Sequence, residues 1–112
     1  MNLQQAFSGI KVLAVARVVA APFAAYQLAL HGADVIHIEN PKDPDSARTS
    51  GNLATPFHEA QMAYNFLAYN ANKRAITLSI NTPQGQDVFR RMAQSADVVI
   101  AKTPDVVVNM VK

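Results

Sequence analysis

The chain has 112 residues, half of them apolar and 16% charged, which fits one globular domain and excludes a disordered chain. It has no cysteine, so disulfides, thiolate metal sites and cysteine nucleophiles are excluded. The formal charge of +2 comes from scattered Lys and Arg residues, which speaks against nucleic acid and suits a phosphate-bearing ligand.

Gly9 precedes Ile10 to Ala16, a short apolar run rich in β-branched residues that reads as a strand buried on both faces. Pro22 opens a helical stretch from Phe23 to His31, with Phe23, Tyr26, Gln27 and Leu30 at helical spacing. Gly32 is its expected C′ residue. Asp34 to Glu39 is a second strand, completing a βαβ unit with an expected right-handed crossover. From Asn40 to about Gln61, three prolines and many polar residues make a long irregular loop. Gln61 to Asn70 reads as a short helix and Ala75 to Ile80 as a third strand. Thr82 can N-cap a helix with Pro83 at its first position, and Val88, Phe89, Met92 and Ala93 form its apolar face. Asp97 to Ala101 is a fourth strand. Val106 to Val111 reads as the start of a further helix, and its apolar run is expected to promote self-association of the isolated chain. The pattern predicts an α/β fold, doubly wound around a mostly parallel sheet. Ligands of such sheets bind outside the carboxyl ends of the strands. Those ends are Ala16 to Ala21, Glu39 to Asp43, Ile80 to Thr82 and Ala101 to Pro104.

The turn after the first strand holds no glycine, so the dinucleotide fingerprint is missing, although Glu39 sits where a ribose-binding acid would. There is no Gly-x-Ser-x-Gly elbow. Asp43 and Asp45 read as a solvated turn, and His37 as an outward-facing residue on its strand. Arg17 follows a buried strand at the ligand face and has two readings, contact with a bound anion or acyl group and a structural ion pair. Lys73-Arg74 reads as an exposed basic turn, and Arg90-Arg91 as a solvated helix face. His31, His37 and His58 are too scattered for a metal site, so no metal is expected. The N-terminus lacks a signal-peptide pattern. Arg17, His31 and Asp34 interrupt any run approaching the about 18 apolar residues of a membrane span. A cytoplasmic protein with no membrane or nucleic-acid partner is expected.

Five segments in order resemble the class III coenzyme A transferases, the formyl-CoA transferase and carnitine-CoA transferase group. They are Gly9 to Leu13 followed by Ala20-Ala21-Pro22, Gly32 to Glu39, Asn70 to Ala75, Thr82 to Gly85, and Ala96 to Ile100. The resemblance implies that residues 1–112 are the N-terminal part of a larger Rossmann-like domain that binds coenzyme A. It implies an acyl-CoA and a carboxylic acid as substrates and a dimer of interlocked chains. The family nucleophile is an aspartate, expected beyond residue 112, so the chain alone is not expected to perform the transfer. By position, the coenzyme A contacts fall on Val19 and Ala20, on Asn40, on Leu78, Ser79, Ile80 and Asn81, and on Lys102 and Thr103.

The chain departs from the family at these same places. Family Asp and Gly are Ala14 and Ala21, the family Arg and Lys are Asn40 and Asn81, and Asn-Phe-Arg-Pro-Gly is Lys102 to Val106. Losing two cations removes charge-assisted phosphate contacts worth about 1.5–3 kcal/mol each, of which Lys102 could restore one. Either backbone contacts tolerate these changes, or coenzyme A binding is altered or lost. Two functions therefore stay open: CoA transfer between an acyl-CoA and an acid, and a truncated or degenerate non-catalytic homologue that binds or assembles. The same scaffold also hosts racemisation of 2-methylacyl-CoA. An unrelated nucleotide-binding α/β module is disfavoured by the missing glycines.

Overall fold

The computed structural model describes residues 4–17, 19–51, 56–102 and 109. The elements are β1 (Lys11–Val15), α1 (Ala20–Leu30), β2 (Asp34–Glu39), a 3-10 turn (Ser46–Thr49), α2 (Pro56–Glu59), α3 (Tyr64–Asn70), β3 (Arg74–Thr77), α4 (Pro83–Gln94) and β4 (Val98–Ala101). The expected helix from Val106 falls outside the described residues apart from Asn109.

The four strands form one sheet in the order β3-β2-β1-β4, and all three pairings are parallel. Val12 of β1 stands opposite Val35 on one side and Val98 on the other. β1 is thus central, and its Val12, Leu13 and Ala14 are fully buried, as its apolar run predicts. The side-chain alternation of the strand divides the core in two. Val12, Ala14 and Val35 pack on Ala25 and Ala29 of α1. Leu13 and Ile38 face Phe89 of α4, with Ile36, Ile76 and Met92 around it. Helices cover both faces, so the sheet is doubly wound as expected.

α1 starts at Ala20, before Pro22, and turns its small residues inward: Pro22, Ala25 and Ala29 are buried. Phe23 and Leu30 stay 46% and 43% exposed, so the larger apolar side chains at helical spacing are not the core face of this helix. Alanines let a helix lie close on the β-branched surface of a sheet. α1 ends as expected at Gly32, whose φ of +104° and close approach to Gln5 leave no room for a side chain.

The motif segments have local structural causes. Asp97 grips β1 through its side chain on Lys11 N at 2.8 Å and its own N–H on Lys11 O at 2.9 Å, which registers β4. Asp34 receives the Arg74 fork at 2.9 and 2.6 Å, which aligns β2 with β3. Asn72 adopts a left-handed φ of 61° and donates to Ala29 O at 2.8 Å, near the end of α1. Lys73 donates to Pro22 O at 2.9 Å and Asn70 Oδ1 at 2.8 Å. The Asn-x-Asn-Lys-Arg segment is therefore a clamp between the β3 approach and α1. The reading of Lys73 as an exposed turn residue is corrected: burial pushes its ammonium down to about 8, against the pull of Asp45. Arg74 remains exposed, and Arg90 and Arg91 stay on the solvated face beside Asp87.

β3 ends at Thr77, earlier than the expected Ile80. Leu78 N still reaches Glu39 O at 3.0 Å, and the chain then curls over the start of α4. There Thr82 Oγ1 accepts from Gly85 N at 3.1 Å and donates to Ser79 O at 3.2 Å. A Cβ on Gly85 would penetrate the Ser79 carbonyl. Glycine is required here by close approach rather than by its backbone angles. Alanine is ordinarily the better helix former by about 1 kcal/mol. Gly85→Ala should instead destabilise the chain by about 3 kcal/mol, because backbone must move. Urea unfolding checks this, and an unchanged or raised midpoint would refute the close approach.

Candidate functional site

A cavity of about 410 Å³ opens at the carboxyl ends of the strands. Val15, Ala16 and Arg17 line it from β1, and Ile38, Glu39, Asn40 and Asp43 from β2 and its following turn. Leu78, Ile80 and Asn81 line it after β3, and Lys102 after β4. The chain leaves β1 toward β2 on one side and returns through α4 to β4 on the other. The cavity therefore lies at the topological switch point, where a crevice is unavoidable because successive connections diverge. Its size is within the roughly 300–1,000 Å³ range of small-molecule pockets.

Of the positions expected to contact ligand, Asn40, Leu78, Ile80, Asn81 and Lys102 are brought together on this wall. Val19 precedes α1 and is 48% exposed, and Ala20 is the first residue of that helix; neither lines the cavity. Ser79 turns its carbonyl to the α4 start instead. Thr103 lies outside the described residues. Arg17 is in an ion pair, Nη1 to Asp43 Oδ2 at 2.5 Å, and both residues line the cavity.

The wall formed by the turn after β2 hangs on a buried polar cluster. Glu39 is 7% exposed. Its Oε1 accepts from Arg48 Nη2 at 2.8 Å, and its Oε2 accepts from Arg48 Nε at 2.9 Å and Asp45 N at 2.6 Å. Both carboxylate oxygens are committed, so Glu39 does not present a free ribose-binding acid. Arg48 also donates to Gln61 O at 3.2 Å and stacks 3.9 Å from the Phe66 ring centroid. Asp45, read from sequence as solvated, is 1% exposed and caps the 3-10 turn through Ala47 N at 2.9 Å. Asp43 does stay exposed. Burial pushes the Glu39 carboxyl up, but the Arg48 fork and the Asp45 N–H outweigh it and hold it below its ordinary value.

His37 also corrects the sequence reading. It points inward, 2% exposed, with its ring 6.1 Å from Phe66 at a steep angle. Neither ring nitrogen has a hydrogen-bond partner among the described residues, and Nε2 is 3.9 Å from Glu39 Oε1, too far to bond. Val35, His37 and Glu39 share one face of β2, and Arg48 of the 3-10 turn and Phe66 of α3 pack over its upper end; strand periodicity alone does not reveal that cover. Burial holds His37 below its ordinary 6.5, helped by Lys73 and Arg48, while Glu39 and Asp45 pull the other way. Arg48 carried no motif signal. The available clue was a glutamate closing the largely apolar run Val35 to Ile38, since a buried acid needs a cation nearby.

Two tests follow from this cluster. Arg48→Ala leaves Glu39 buried and unpaired and should cost about 3–5 kcal/mol by urea unfolding; a loss under 1 kcal/mol would refute the anchoring role. Acid should destabilise the chain in two stages. His37 has a lowered folded pKa, so its stability is present above about 6.5 and lost as pH falls through the folded value. Glu39, also lowered, contributes above about 4.5 and loses that contribution at lower pH. His37→Leu should abolish the first stage, keep the second, and be no less stable at pH 7 because no orphaned nitrogens remain. An unchanged pH profile in that variant would exclude His37 as the source.

Among the described residues, no helix is long and apolar enough to cross a membrane, and no group of three acidic or histidine side chains is placed to hold a metal ion. Residues 7–110 match the family described as CoA-transferase family III. The chain is 41% identical to a succinate–glutarate CoA-transferase of Agrobacterium fabrum, over 88% of this chain and 25% of that protein. It is 37% identical to the beta subunit of a succinyl-CoA–L-malate CoA-transferase of Chloroflexus aurantiacus, over 82% of this chain and 22% of that one. A crystal structure of a CAIB/BAIF family protein from Brucella suis superposes with a TM-score of 0.75 at 35% identity, covering 88% of this chain and 26% of that one. The chain thus spans about a quarter of the length of the relatives it matches. With that match running through every element from β1 to β4, the chain belongs to CoA-transferase family III.

Proposed function

We propose that the cavity at the strand ends binds part of a coenzyme A thioester, and that the chain serves CoA transfer between an acyl-CoA and a carboxylic acid. In this reading residues 1–112 are the N-terminal part of a larger CoA-transferase-like domain. The observation that carries it is the meeting of Asn40, Leu78, Ile80, Asn81 and Lys102 on one cavity wall. These residues follow three different strands and are up to 62 positions apart (102 minus 40). The family resemblance assigns ligand contacts to all five.

The chemistry of the wall suits the ligand. Leu78 and Ile80 offer an apolar surface, Asn40 and Asn81 offer neutral hydrogen-bonding groups, and Arg17 and Lys102 offer cations for phosphate. Transfer through acyl anhydrides needs a nucleophilic carboxylate. Glu39 does not fill that role, because Arg48 and Asp45 occupy it. We assign the nucleophile to an aspartate outside these 112 residues, in a protein that operates as a homo-oligomer in the cytoplasm. The dicarboxylates in the relatives' names, succinate, glutarate and malate, are the acids to try first with such a complete protein.

Calorimetric titration of coenzyme A into this chain at low and moderate salt tests the binding step. Saturable binding that weakens with salt is expected. Lys102→Ala should weaken it about tenfold, the loss of one charge-assisted contact. No saturable heat at low salt would remove the transferase reading for this chain and favour a non-catalytic homologue, with Asn40 and Asn81 marking the decay of the site.

A further inference from the structure

We propose that Arg17 is an anion subsite of this cavity, occupied in the free protein by the Asp43 carboxylate, which an anionic group of the ligand must displace. The inference rests on the coenzyme A reading of the cavity only for the identity of the ligand. The site itself would take a phosphate or carboxylate group.

Among the described residues, the other arginines and the half-buried Lys73 do not line the cavity, and their side chains are engaged elsewhere or beneath its wall. Arg48 is spent on Glu39 and Gln61 O, Lys73 on Pro22 O and Asn70, Arg74 on Asp34, and Arg91 on Asp87. Arg17 differs because both it and its partner line the cavity. The pair spans from the end of β1 to the turn after β2, with Arg17 Nη1 also 3.4 Å from Asp43 O. The two side chains are 46% and 69% exposed, and an ion pair that open to water is a weak hold. The planar guanidinium fork matches a phosphate better than it matches one carboxylate oxygen.

Asp43 is not a wandering side chain. Its N–H donates to Asn40 O at 3.2 Å, and Lys42 N donates to Asn40 Oδ1 at 2.9 Å, so the turn holds the carboxylate beside Arg17. It acts as a tethered competitor, present at high effective concentration whatever the ligand concentration. Its removal should free Arg17, whereas the loss of Arg17 should remove the subsite. The two members of the pair therefore have opposite effects on binding. A brace that only shaped the turn would make both substitutions weaken binding.

The test titrates wild type, Asp43→Asn, Arg17→Met and the double variant with coenzyme A and with inorganic pyrophosphate, at one low salt concentration. Circular dichroism first checks that each variant is folded. Asp43→Asn should bind roughly two- to fivefold tighter than wild type. Arg17→Met should bind about tenfold more weakly. In the Arg17→Met background, Asp43→Asn should change nothing, because no masked cation remains. Asp43→Asn binding equal to or weaker than wild type would overturn the proposal, even if Arg17→Met failed to fold. So would a gain that persists in the double variant, which would be a general charge effect. If coenzyme A does not bind but Asp43→Asn takes pyrophosphate tighter than wild type, the subsite stands and the coenzyme A reading falls. If no form binds either probe, both fall.

Discussion

The buried ion pair between Glu39 and Arg48 is the interaction on which the site depends. Glu39 ends β2 within the covered sheet, where an unpaired carboxylate would be costly. Arg48 meets it with a two-pronged contact and lies on Phe66, so one side chain ties the strand end, the 3-10 turn and α3 together. Ala63 N donates to Arg48 O, adding a backbone link in the same place. The Asn40 to Asp43 turn leaves from this anchored point and becomes one wall of the cavity. Local order in that wall is inherited from the ion pair beneath it.

A second constraint shapes the opposite wall. The Ser79 carbonyl approaches the first turn of α4 so closely that only a glycine fits at position 85. Thr82 bonds both sides of the contact, capping the helix and holding the curl after β3. Leu78, Ile80 and Asn81 consequently face the cavity from a short irregular stretch rather than from a regular strand. The two walls are held in place for different reasons, one electrostatic and one steric. The polar mouth between them holds Arg17, Asp43 and Lys102.

Much of the scaffold was legible in the sequence because it rests on local rules. The bounds of β2 agree with its run of six residues, and Thr82, Pro83 and Gly32 occupy the cap positions their chemistry requires. The strand-end rule located Arg17, Asn40, Asn81 and Lys102 before any coordinates. Val19 and Ala20, also within the strand-end ranges, cap and begin α1 off the cavity wall, and Ser79, which the family resemblance named, turns its carbonyl toward Gly85. His37 and Asp45 were misread for one shared reason. Polar residues in a strand or a proline-rich loop look solvent-bound until the fold covers them, as Phe66 of α3 does for His37.

The sequence by itself determined the order of the four strands and of α1, α3 and α4, the parallel α/β class and the family, since periodicity, caps and short motifs act over a few residues; the 3-10 turn and α2, inside the stretch read as irregular loop, it did not. Tertiary structure alone decided that Glu39 belongs to Arg48, that Lys73 bridges to α1, and that Arg17 meets Asp43 across the cavity. These partners lie nine, fifty-one and twenty-six positions apart in the chain. Charge pairing has no sequence period. It depends on which strands become neighbours and on which side chains the fold removes from water.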